Sequence, residues 1–160
     1  MPFVSMAPAV AGAIASSSDY NDVVDNVNQL NTTRTKYKRS VCSGDQTVTT
    51  TQTDLAGASI SFTTAEANTQ VLVTGVFDVN STHASDVFIG TMSVDGGAVQ
   101  VSEAHLTGVL RANISQQWLV TVATAGAHTV KLRVAKVNNL GTVTVYANHS
   151  NITAQGQGIT

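Results

Sequence analysis

"QVLVTGVFDV", residues 70–79, repeats apolar side chains with a period of two, so that Val71, Val73, Phe77 and Val79 share one face with Gly75 between them. Successive side chains of a strand point to opposite faces, and this pattern therefore reads as a strand with one buried side. The period recurs along the chain. "HTVKLRV", residues 128–134, sets Val130, Leu132 and Val134 against Thr129, Lys131 and Arg133. Further runs cover 47–53, 58–63 ("ASISFT"), 86–94 ("DVFIGTMSV"), 98–102, 107–114, 116–123 ("QQWLVTVA") and 142–147 ("TVTVYA"), and "NITA" at 151–154 ends the series.

The residues between these runs are turn formers. "DGG" at 95–97 joins two alternating segments, "TAGAH" leads into the 128–134 strand, and "NNLG" at 138–141 supplies residues that tolerate positive φ. Eight or nine short strands with no helix between them predict an all-β antiparallel sandwich or barrel and exclude parallel βαβ folds. The uneven loops favour a jelly-roll-like β-sandwich over an immunoglobulin-type one, whose Cys…Trp…Cys core this chain lacks. Trp118, the single tryptophan, falls in an alternating strand and is expected to anchor the core.

One segment breaks the period. In "SSSDYNDVVDNVNQL", residues 16–30, Tyr20, Val23, Val24, Val27 and Leu30 recur at the spacing of one helix face. Ser16 with Asp19 matches a capping box, Asp22 and Asp25 suit the positive end of the helix dipole, and the basic run "RTKYKR" (34–39) suits the negative end. As heptads, Tyr20, Val27 and Arg34 take one core position and Val23, Leu30 and Tyr37 the other. A lone helix of this length is marginal in water and must pack on its own β-domain, a symmetry copy or a larger assembly. Before it, "MPFVSMAPAVAGAIA" (1–15) is apolar and uncharged, yet Pro2 and Pro8 interrupt it and no Lys or Arg precedes it. It also falls short of the roughly 20 residues of a membrane span, so it is expected to be an extended arm that another surface covers. The expected division is therefore an arm and helix over 1–40, with Phe3, Val4, Tyr20, Val23, Val27 and Leu30 as contacts, and a β-sandwich over 41–160.

Composition narrows the function. A chain of 160 residues suits one domain with a core of its own, and the lone Cys42 rules out an internal disulfide framework. Charged residues make up 11% of the chain and the net charge is −2, with four of the eight Lys and Arg in the 34–39 run. Binding to nucleic acid or an anionic membrane needs more clustered basic charge than that, so neither partner is expected. His83, His105, His128 and His149 have unrelated neighbours and no metal-ligand spacing, and neither a metal nor a cofactor is expected. No nucleophile elbow, phosphate-binding glycine loop or dinucleotide fingerprint is present, and no enzyme activity is expected. The most polar loop, "DVNSTHASD" (78–86), offers Asp78, Asn80 and Asp86 as a candidate ligand loop for a cation or a sugar.

The front segment "PFVSMAPAVAGAIASSSDYNDVVDNVNQL" (2–30) resembles the N-terminal module of tailed-bacteriophage virion proteins, where an apolar arm leads into a short helix. The stretches "TQTDLAGASISFTTAEANTQVLVTGVFDV" (51–79), "MSVDGGAVQ" (92–100) and "TVATAGAHTVKLRV" (121–134) look like the β-sandwich domains of phage fibre, minor tail and head-decoration proteins. The resemblance implies a homotrimeric structural protein at the surface of a phage particle. Its implied partners are copies of itself and other virion proteins of tail or capsid; a further alternative is a carbohydrate-binding adhesion module whose 78–86 or 103–113 loop contacts a host surface glycan.

Overall fold

The computed structural model describes residues 17–105 and 111–160. Helix α1 (Ser17–Thr33) leads directly into ten strands: β1 (Thr35–Val41), β2 (Gln46–Val48), β3 (Thr53–Thr64), β4 (Thr69–Ser81), β5 (Val87–Val94), β6 (Gly97–His105), β7 (Ala112–Val122), β8 (Gly126–Lys136), β9 (Val143–Val145) and β10 (Asn151–Gln157). All the pairings are antiparallel. They form two facing sheets. One carries β1, β10, β4 and β7 in that order, extended by β9 and β2 along the far end of β4; the other runs β3, β8, β5, β6.

With the short β2 and β9 set aside, eight principal strands remain. The first pairs the last (β1 with β10), the second the seventh (β3 with β8), the third the sixth (β4 with β7) and the fourth the fifth (β5 with β6). That nesting is one long hairpin wrapped into a sandwich, the connectivity of a jelly roll. The all-β sandwich with an N-terminal helix read from the sequence is the observed architecture.

Strand alternation builds the core as expected. Val71, Val73, Phe77 and Val79 of β4 are fully buried, as are Val130, Leu132 and Val134 of β8 across the sandwich, and Trp118 is 2% exposed. Gly75 and Gly90 make room for one large ring. A Cβ on Gly90 would lie 2.8 Å from Phe77 Cε2, and one on Gly75 would lie 2.7 Å from Leu132 Cδ2 and 3.2 Å from Phe77. Phe77 thereby meets Phe88 edge to face, with centroids 5.3 Å apart. Asp95 (φ 49°) and Gly96 (φ 85°) form the two-residue turn between β5 and β6, both with the positive φ that a tight hairpin of this twist requires.

The basic run departs from its reading as cations at a helix C-terminus. Helix α1 has no basic residue in its last turn, and Lys36, Lys38 and Arg39 belong to edge strand β1. Lys38 Nζ donates to the carbonyls of Ser61 (3.0 Å) and Thr160 (2.9 Å), closing the side of the sandwich between the two sheets. Charge on an edge strand also disfavours pairing with foreign strands. Tyr37 lies on this strand, so the heptad pattern stops at Leu30. The separate runs 107–114 and 116–123 contribute a single strand, β7, whose described part begins at Ala112.

Candidate functional site

Helix α1 spans 17 residues, about 25 Å at 1.5 Å per residue. Its five apolar side chains lie on one face, as their spacing requires. Tyr20 is 70% exposed, Val27 56% and Leu30 55%, and Val23 and Val24 are exposed as well. The sandwich of the same chain therefore does not cover this stripe. The contrast with the sandwich is physical: there the large apolar side chains of the core are excluded from water, whereas the helix keeps its hydrophobic face in water, where a helix of this length gains little from propensity alone. Phe3 and Val4, expected to join this contact, lie outside the described residues.

The candidate ligand loop is built differently from its sequence reading. Asp78 is 2% exposed, and Arg111 Nε donates to both of its oxygens, at 2.8 and 2.9 Å, with Nη2 adding a further contact to Oδ2. The Arg111 guanidinium in turn lies 4.0 Å over the Tyr146 ring. The Asp78 N–H donates to Ser150 Oγ (2.9 Å) and its carbonyl accepts from the Tyr146 N–H (2.8 Å), so this residue ties β4 to the segment between β9 and β10. Asp86 is wholly buried; Ser81 Oγ donates to it at 2.7 Å and the Gly141 N–H at 3.3 Å. Burial opposes its charge, but the hydrogen bonds from Ser81 and from the Gly141 and Leu140 backbone, with the Lys136 ammonium nearby, outweigh burial and hold its carboxyl below the usual range. Asn80, paired with Thr144 across β4 and β9, has its Oδ1 buried without a hydrogen-bond partner. Both carboxylates are thus occupied in holding loops together, and the three side chains have separate surroundings.

The histidines remain apart. His83 sits in the turn before β5, His149 in the single helical turn before β10, and His105 ends β6. His128 is buried at the start of β8 beside Asp95. Among the described residues no group of three or more His, Cys, Asp or Glu side chains is placed to hold a metal ion. The pairs Asp78–Arg111 and Asp95–His128 each join residues 33 positions apart, and no local pattern in the sequence marks either of them.

No family model matches the chain, and no curated protein matches it. Among solved structures, the chain is similar to that of infectious bursal disease virus strain Gt, at 14% identity over 99% of this chain and 38% of that one, with a TM-score of 0.52. It is likewise similar to the VP2 subviral particle of infectious bursal disease virus, at 12% identity over 78% of this chain and 33% of that one, with a TM-score of 0.51. The chain spans about a third of the length of these structures, and at such identity what they share with it is the fold.

Proposed function

We propose that the protein is a non-enzymatic structural component of a virus particle. In this reading it is an accessory tail or fibre-type protein of a tailed bacteriophage. It assembles as a homotrimer through the face of α1 and the arm before it, and projects the jelly roll from the particle surface. One observation carries the proposal: the sandwich buries its own core, while the helix beside it holds Tyr20, Val23, Val24, Val27 and Leu30 in water. Apolar surface of that kind is stabilised by burial at roughly 25 cal/mol per Å², whereas exposed ion pairs contribute fractions of a kcal/mol each.

The likeness of residues 2–30 to phage virion modules supports a place in a phage particle and serves a tail and a head location alike. The jelly-roll fold in common with infectious bursal disease virus structures supports the broader virion role and the second reading, a head-decoration protein. Among the described residues no helix is long and apolar enough to cross a membrane. The basic side chains of β1 are confined to one edge strand, with Lys38 engaged by two carbonyls, which does not favour nucleic acid as a partner.

Quantitative mass spectrometry of gradient-purified particles from the source tests the proposal. A few trimers per particle, recovered with the tail fraction, is the expected result. A copy number in the hundreds on purified heads would select the decoration reading, and absence from particles would refute both.

A further inference from the structure

His128 is 7% exposed, and both of its ring nitrogens face acceptors. Nδ1 lies 2.7 Å from Asp95 Oδ2 and Nε2 lies 3.0 Å from the Thr124 carbonyl. A neutral imidazole carries one N–H, so it can satisfy one of these acceptors and must turn a lone pair toward the other; the imidazolium donates to both. We propose that His128 is a proton-dependent clasp that joins the β5–β6 and β7–β8 turns at one end of the sandwich, complete when both ring nitrogens are protonated and weakened when one is not. This inference is independent of the virion reading.

The surroundings fit a clasp. Asp95 is the first residue of the β5–β6 turn, and its other oxygen accepts the Thr129 N–H at 2.8 Å while its own N–H donates to the Thr129 carbonyl at 2.9 Å. Thr124 belongs to the β7–β8 turn, and its carbonyl also accepts from Thr64 Oγ1 at the end of β3 (3.1 Å). Phe62 of β3 packs against the imidazole, with centroids 5.9 Å apart, and brings no charge. The charged groups beyond are Asp54, Lys131 and Arg133, which line the same surface depression as Asp95; both cations pair with Asp54, leaving Asp95 to His128. The His128 bond and the Thr129 N–H hold the Asp95 carboxyl below its usual range, so it stays ionised through the pH interval in which histidine ordinarily titrates.

The experiment is nitrogen-15 NMR of the full chain from pH 5 to 8.5, with amide exchange measured in parallel. At pH 5–6 both ring nitrogens of His128 are expected to carry protons. The exchange protection of the Asp95 and Thr129 amides, corrected for intrinsic rate, is expected to fall about tenfold by pH 8.5, whereas amides in the middle of β4 stay constant. In the His128→Gln variant the protection of these amides should not depend on pH. A single neutral tautomer at pH 5, or wild-type protection that is flat across the range, would overturn the clasp even if the variant failed to fold.

Discussion

Replacing Val27 and Leu30 by Asp tests whether the exposed helix stripe is an assembly contact. Fully burying a Val or Leu is worth about 1.5–3 kcal/mol, and these two side chains have slightly more than half of their surface in water, so each has about 1 kcal/mol to gain from a partner. A trimer buries six such side chains, and the double variant should therefore lose about 6 kcal/mol of association free energy per trimer. Because concentration enters a trimer equilibrium squared, that loss moves the half-dissociation concentration upward by about a hundredfold. Sedimentation velocity over a dilution series reads this shift directly. Far-ultraviolet circular dichroism of the same samples should retain the strand signal, since neither residue touches the sandwich core. Asn21→Asp, at an exposed position off the apolar stripe of α1, serves as the control for placing a carboxylate in the helix. An unchanged dissociation curve in the double variant, or a wild-type chain that stays monomeric up to roughly 100 µM (a midpoint worth about 5.5 kcal/mol for each of the two association steps), would refute the contact.

Deleting residues 1–33 leaves β1 and every other strand intact, so the truncated chain should keep its strand signal and a cooperative thermal transition while losing self-association; a collapsed spectrum would refute the independence of the sandwich. Arg111→Met leaves the buried Asp78 carboxylate without its partner and should lower the denaturation midpoint, by less than for a fully buried pair because Arg111 is half exposed; chemical denaturation measures it, and an unchanged midpoint would show the pair to be incidental. Gly90→Val drives a side chain into the Phe77 ring and should cost about 1–3 kcal/mol or more, read as a lower denaturation midpoint. Asp86, with its folded carboxyl held below the unfolded value, contributes stability that is present above the unfolded pKa and lost as pH falls through the folded one; melting temperature should drop on acidification below about pH 4, and Asp86→Asn should be less stable at neutral pH with a shallower acid slope.

The strands that could be read from the chain are those whose faces have unequal solvents. Val71, Val73, Phe77 and Val79 announce β4 because one side of it is dry, and Asp95–Gly96 announces its turn because few residues tolerate two positive φ angles in succession. β1 escaped for the opposite reason: at the sheet edge its "TKYKRSV" alternates only between exposed and half-buried positions, and three of its seven side chains are cations. Adjacency to a helix then made those cations look like helix-end charges. The apolar stripe of α1 was also legible, being a matter of spacing, although that spacing is silent on what the stripe meets.

Asp78 and Asp86 mark where local reading stops. In a polar loop both look available for a ligand, yet one is bound by Arg111 and the other by Ser81 and the 140–141 backbone, groups brought near by pairings between distant strands. Period and turn chemistry are properties of neighbours along the chain, and they sufficed for the strands with one dry face, the helix face and the all-β class. Which strand pairs with which, the wrapping of first onto last that makes a jelly roll, and the partners of each buried charge depend on contacts across tens of residues. Only the folded chain, by bringing those residues within bonding distance, decided them.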